Sequence, residues 1–173
     1  MTRTPVPLPP REELQRVFLY SPSSGELIWR ARDDVPRRVR KRFAGKPAGH
    51  KSNRGYVQVW AWGRLYLAHR IVWKMHHGDE PAILDHIDGD PANNRIENLR
   101  PASQVQNQAN RKRTRGRELP KGVRRTTAGN FLAVITARGH RGRYLGTFPT
   151  VEQAQAAYFR EAQAAHGEYA RAE

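Results

Sequence analysis

The sequence predicts an α+β protein built from two small modules in series. Three observations carry that reading. Strand-period alternation runs directly into helix-period spacing at 55–78. A strand, a long polar loop, a second strand and a capped helix follow one another over 83–110. The C-terminal stretch repeats the mixture independently, with three short strands punctuated by glycine and then an alanine-rich helix. A length of 173 residues accommodates one ordinary domain or two small ones.

The elements read as follows. "MTRTPVPLPP" is a disordered or extended lead, since prolines at 5, 7, 9 and 10 exclude helix and ladder. "REELQRVFLYSPSSGELIW" reads as a short helix, a Ser/Pro/Gly turn and a strand at 27–29. "RRVRKRFAGK" (37–46) is a basic run with a glycine and reads as a loop. In 55–78, Tyr56, Gln58, Trp60 and Trp62 alternate with Val57, Val59 and Ala61, and the two tryptophans are assigned to the core, with stacking on bases as the alternative. Gly63 and Arg64 are expected to turn the chain, and "LYLA" returns as a second strand. His69 to His77 is helical, with Ile71, Val72 and Met75 on one face and Gly78 closing it. "RKRTRGRELPKG" (111–122) is dense in charge and ends in Pro and Gly, as linkers do. In the last module Thr150 and Gln153 have the spacing of a capping box, and Gly167 suits the C-terminal cap of the same helix.

Charge narrows the function. Lys plus Arg number 31 against 16 Asp plus Glu, a formal net charge of +15, so a polyanion is the expected partner and nucleic acid the default. No apolar run approaches the roughly 20 residues needed to span a bilayer, and the start lacks the hydrophobic core of a signal peptide. An intracellular protein, neither secreted nor membrane-bound, is expected. There is no cysteine, which excludes disulfides and thiolate zinc sites.

In so basic a chain, "ILDHIDGDPANNRIENLRPASQVQNQANRK" (83–112) is unusual for gathering carboxylates and amides around one histidine. Gly89, Pro91 and Asn93-Asn94 forbid a continuous helix or strand through "DGDPANN". Ser103 and Gln106 have the spacing of a capping box, which puts Asn107 on the first full turn of the following helix. Carboxylate and amide oxygens are hard ligands, suited to a hydrated Mg²⁺ or Mn²⁺ ion. A histidine, with an ordinary pKa of about 6.5, can take a proton from attacking water. Together they imply phosphodiester hydrolysis. The plain alternative is a turn with solvated carboxylates. Asp88 and Asp90 read as turn-formers rather than ligands. His69 reads as a brace of the core, with a catalytic role as the alternative. His76 and His77 read as surface residues, and Asn93, Asn94 and Asn110 as turn or helix-end residues.

"LDHIDGDPANNRIENLRPASQVQNQAN", with "LAHRIVW" before it, resembles the HNH endonuclease family, in the branch typical of phage and homing enzymes. The resemblance covers roughly 14–112 and is strongest at 68–110. It implies a ββα-metal core and one divalent ion per chain, Mg²⁺ or Mn²⁺. Asp85 matches a metal ligand, His86 the general base, Asn98 the residue that braces the loop and orients the histidine, and Asn107 the second ligand on the helix. Asp at the first position and Asn at the last depart from the histidine-rich version, which argues against tight zinc binding. The resemblance also implies a bacterial host cytoplasm if the gene is phage-borne.

"KGVRRTTAGNFLAVITARGHRGRYLGTFPTVEQAQAAYFREAQAAHGEYA" is similar to a second family, the APETALA/ethylene-response-factor type of DNA-binding domain. That resemblance implies a three-stranded antiparallel sheet on one helix, with the sheet face entering the major groove. Phe131, Ala133, Ile135 and Ala137 then meet the helix, while Arg124 and Thr126, Val134 and Thr136, and Arg138 and Tyr144 line the outer face. Arg124 and Tyr144 match DNA-contacting positions, whereas Thr126, Ala128, Val134 and Thr136 depart from the plant pattern. An ordinary solvated sheet face is the alternative.

The organisation expected is a lead at 1–12, a nuclease domain with an N-terminal antiparallel hairpin at 13–110, a basic linker at 111–120 and the sheet-and-helix domain at 121–173. Arg37, Arg38, Arg40, Lys41 and Arg42, with Arg111, Lys112, Arg113 and Arg115, are candidates for phosphate contact alongside Arg124, Arg138 and Tyr144. The partner expected is double-stranded DNA, bound by a monomer or weak dimer. Two rival readings stay open: a non-catalytic, sequence-specific DNA-binding regulator, and a structural RNA-binding protein.

Overall fold

The computed structural model describes residues 7–110, 118–135 and 142–170. Its contacts divide the chain into two units, Met1–Pro101 and Ala102–Glu173, each with its own apolar core. Helix and strand mix in both, so the chain is α+β.

In the first unit, residues 7–10 are extended and bury Leu8, and Pro10 opens helix α1 (Arg11–Val17). Glu12 and Glu13 in its first turn complement the helix dipole, and Leu14 and Val17 enter the core. Phe18 is extended and ends the helix, starting strand β1 (Phe18–Ser21), which pairs antiparallel with β2 (Glu26–Trp29). The strand reading at 27–29 therefore has a partner that the sequence hid inside a helical-looking run.

Helix α2 (Arg37–Phe43) replaces the loop expected for the basic run. Arg and Lys are good helix formers, Pro36 sets the start, and Arg40 pairs with Asp33 across the entry. None of its residues is buried, so no apolar stripe marked it in the sequence.

Strands β3 (His50–Lys51), β4 (Val57–Ala61) and β5 (Arg64–Leu67) form an antiparallel sheet in that order. Val59 and Ala61 carry its inner face, so Trp60 is 64% exposed and Trp62 is also exposed, against the core assignment. A period of two allows only one face of this strand to be core, and the smaller residues occupy it. Ala61 pairs with Arg64, which makes Trp62 and Gly63 the turn rather than Gly63 and Arg64. Both have positive φ, 48° and 68°, as a two-residue hairpin with the sheet's own twist requires.

Helix α3 (Ala68–His77) buries Ile71, Val72, Trp73 and Met75 and closes on Gly78 in the left-handed region. Strands β6 (Leu84–His86) and β7 (Leu99–Pro101) then pair antiparallel across a loop that ends in a 3-10 turn at Ile96–Asn98.

The second unit begins with helix α4 (Gln104–Ala109), whose Ser103–Gln106 capping box is formed in both directions. Lys121 Nζ donates to the carbonyls of Gln108 and Ala109 at 3.2 and 2.7 Å, satisfying the open end of that helix. Strands β8 (Val123–Arg125), β9 (Phe131–Ile135) and β10 (Arg143–Phe148) form an antiparallel sheet with β9 central. Helix α5 (Val151–His166) packs on it. Phe131 and Ala133 meet Ala154 and Ala157 in the core, and Thr150 Oγ1 caps the helix by accepting from Gln153 N. The close approach of this unit is visible at Gly122, where a Cβ would lie 2.1 Å from Tyr158 Cδ2. No helix among the described residues is long and apolar enough to cross a membrane.

Candidate active site

The β6–β7 pair sets the site. Its register places Asp85 opposite Arg100 and His86 opposite Leu99, and Asp85, His86, Asn98 and Arg100 are all buried. Between the strands, the polar loop is held by its own side chains. Asp88 Oδ1 accepts from Asp90 N at 2.8 Å, and Asp90 Oδ1 accepts from Ala92 N at 3.0 Å. These are Asx turns, which agrees with the turn-forming role read for both aspartates.

Asn98 ties the two ends of the loop together. Its Oδ1 accepts from Asp88 N at 3.0 Å, and its Nδ2 donates to Asp88 Oδ1 and to the Asn93 carbonyl at 3.0 and 2.8 Å. Asn93 Nδ2 adds a bond to Asp88 Oδ2 at 2.6 Å. Partial burial works to raise the Asp88 carboxyl, but the bonds from Asp90, Asn93 and Asn98 outweigh it and hold it below the usual range.

That loop delivers Asn94, which the sequence reading took for a turn residue, against His86. His86 Nε2 lies 3.2 Å from the Asn94 side-chain oxygen, and in the tautomer that donates this bond the ring's lone pair is on Nδ1. The β1–β2 hairpin in turn holds the loop. Ile96 N donates to Tyr20 Oη at 2.8 Å and Arg95 Nε to the Ser23 carbonyl at 2.8 Å. At Gly25, with φ +74°, an added Cβ would lie 2.6 Å from Arg95 N. Only glycine permits this approach.

Two more rings enclose the histidine. His69 sits 5.0 Å from His86 centroid to centroid, edge-on, and Tyr56 lies 6.0 Å away. His69 Nδ1 is buried without a hydrogen-bond partner. Burial, then the charges of His86 and Arg70, push the His69 pKa down to about 3, so this ring stays neutral.

Asp85 is held by Arg100, whose Nε and Nη2 both donate to Asp85 Oδ2 at 3.1 Å. The sequence reading did not single out Arg100. Its only signal was the register, because counting back across the pair from His86 and Leu99 sets it opposite Asp85.

Among the described residues, no three His, Cys, Asp or Glu side chains gather into a group able to hold a metal ion. Donors of the predicted kind, one carboxylate and one amide, instead suit a hydrated hard cation that keeps several waters and meets the protein through one or two oxygens. Asn107 is half-buried on α4, which belongs to the second unit.

Comparison with known proteins adds one finding. Residues 66–109 match the family model described as HNH endonuclease. No curated protein and no solved structure matches the chain. The matched stretch contains His69, Asp85, His86, Asn94, Asn98, Arg100 and Asn107, and it supports a nuclease-type hydrolase with DNA as its substrate.

Of the residues read as DNA-binding, Arg37, Arg38, Lys41 and Arg42 are exposed on α2 and Arg40 is half-buried. Arg124 and Tyr144 are exposed on the sheet of the second unit, where Tyr144 pairs with Val134. Arg111, Lys112, Arg113, Arg115 and Arg138 lie outside the described residues, as do Thr136 and Ala137.

Proposed function

We propose that this chain is a divalent-metal-dependent DNA endonuclease of the phage or homing type. It hydrolyses phosphodiester bonds to leave 5′-phosphate and 3′-hydroxyl ends. The observation that carries the reading is the buried contact of His86 Nε2 with Asn94, beside Asp85, inside the stretch matched to HNH endonuclease. With Nε2–H donating its hydrogen bond to Asn94 Oδ1, His86 Nδ1 takes the proton of a water molecule as its oxygen attacks phosphorus. The bond to the 3′-oxygen breaks, and that oxygen leaves on the far side and takes a proton from solvent water to become the 3′-hydroxyl. Asp85 would supply a carboxylate ligand for Mg²⁺ or Mn²⁺, and the resemblance to HNH endonucleases implies Asn107 as the amide ligand. When bound, the ion would neutralise charge on the scissile phosphate and stabilise the leaving oxygen. Asn98 keeps the loop closed so that Asn94 and His86 stay aligned.

In this reading a nuclease module at 13–110 is joined by the basic linker 111–120 to a DNA-binding module at 121–173. The latter is of the APETALA/ethylene-response-factor type, and the protein works as a monomer or weak dimer. Exposed Arg124 and Tyr144 support that assignment of the second module.

Plasmid cleavage with Mg²⁺, with and without EDTA, tests the proposal. Wild type nicks or linearises the plasmid and His86→Ala does not. Equal cutting by His86→Ala would refute the assignment. Duplex binding without any metal-dependent cutting would leave the regulator reading in its place.

A further inference from the structure

The first unit carries a second feature that the hydrolytic site does not use. Trp29, Phe43 and Trp60 line a cleft of about 430 Å³ together with Arg30, Arg32 and Arg40. That volume falls within the roughly 300–1,000 Å³ typical of small-ligand pockets. Trp60 is 64% exposed and presents an open aromatic face, and Phe43, at 39% exposed, adds a partly open edge beside it. Trp29 tilts against Phe43 at 5.9 Å between centroids, and the Arg42 guanidinium sits 5.2 Å from the Phe43 ring centre.

The surrounding charge decides what such a cleft takes. Residues 30–46 contain eight Lys or Arg and two Asp. Arg40 is paired with Asp33, and Arg32 and Arg16 with Asp34, which leaves the segment strongly positive. A second copy of a +15 chain would be repelled, and an apolar peptide would leave the guanidinium groups unused. A ligand that fits both features has a flat π-face and a phosphate. In a continuous duplex each base face is already covered by its neighbours, so the base must be unpaired.

We propose that this cleft binds one unpaired nucleotide of a DNA strand, with its base stacked on Trp60 and Phe43 and its phosphate on the cleft arginines. The inference rests on the reading of the chain as an enzyme acting on DNA. It adds a gripping point for a strand locally freed from the duplex, separate from the hydrolytic residues.

The test uses the full chain in EDTA, so that binding is read without cutting. Fluorescence anisotropy follows a short labelled DNA strand, the same strand with its bases removed, and the matching duplex. Wild type should hold the base-bearing strand more tightly than the abasic one. Trp60→Ala should weaken the base-bearing strand by about five- to a hundredfold, the worth of one stacked base, and leave the abasic strand unchanged. Trp60→Phe should recover most of the loss. The proposal is overturned if Trp60→Ala binds all three ligands like wild type, or loses the base-bearing and abasic strands equally. Because Trp60 is exposed, its removal does not open the core. Mg²⁺-dependent plasmid cutting by wild type and His86→Ala reads the nuclease assignment separately, so either idea can fail alone.

Discussion

Replacing His69 with phenylalanine should flatten the acid side of the stability curve. His69 is buried with Nδ1 unpartnered, and its pKa is pushed to about 3 from an ordinary value near 6.5. Below pH 6.5 the unfolded chain therefore takes up a proton that the folded chain refuses. The stabilising contribution is complete above about pH 6.5 and is lost as pH falls toward 3. At about 1.36 kcal/mol per pH unit, lowering the pH from 7.5 to 5.0 should cost the folded state about 2 kcal/mol through this one group. Urea unfolding, followed by far-ultraviolet circular dichroism at several pH values in that interval, measures it. Any shift in absolute stability from the larger ring of His69→Phe is the same at every pH and drops out of the slope. The expected result is that wild type loses about 2 kcal/mol more than the variant across the interval. Parallel curves would refute the reasoning, because they would mean that the ring finds a proton acceptor or water in the folded state.

Two further outcomes bear on the residues that the sequence did not single out. Asn94→Ala should slow single-turnover cleavage about ten- to a hundredfold, the usual cost of removing a partner that orients an active-site group, and Asn94→Asp, which keeps an acceptor oxygen, should recover most of it. A rate within twofold of wild type in Asn94→Ala would count against the tautomer argument. Arg100→Met withdraws two donors from a buried carboxylate and should destabilise the first unit by about 3–5 kcal/mol in urea unfolding. A loss under about 1 kcal/mol would show that Asp85 is held by other means.

What the sequence made legible follows from which signals are local. The turn chemistry of "DGDPANN", the Ser103–Gln106 box, Gly78 and Gly167 are short-range features and appear in the structure at the expected residues, while of the Thr150–Gln153 box only the bond from Gln153 N to Thr150 Oγ1 is seen. Helix α2 was missed because a helix without a buried stripe has no periodicity to detect. The tryptophans were misassigned because alternation identifies two faces and does not say which is inward. Asn94 and Arg100 required tertiary information. One depends on how the loop folds back on itself, the other on the register of two short strands far apart in sequence.

The geometry around His86 also bears on where the functional unit begins. The family match starts at residue 66, yet Tyr56 lies against the His86 ring, Tyr20 bonds the backbone at Asn94 and Ile96, Ser23 accepts from the Arg95 side chain, and Gly25 packs against the Asn94–Arg95 backbone. The loop's own bonds among Asp88, Asn93 and Asn98 close it as a ring, and the hairpin adds its contacts at residues 94–96. A side-chain amide 3.2 Å from an imidazole is sensitive to displacements of a few tenths of an ångström, since hydrogen bonds weaken steeply beyond that length. The β1–β2 hairpin is therefore a structural part of the histidine's environment rather than an appendage. The glycine at 25 is the point where that dependence is tightest, because any side chain there would push the Asn94–Arg95 backbone away.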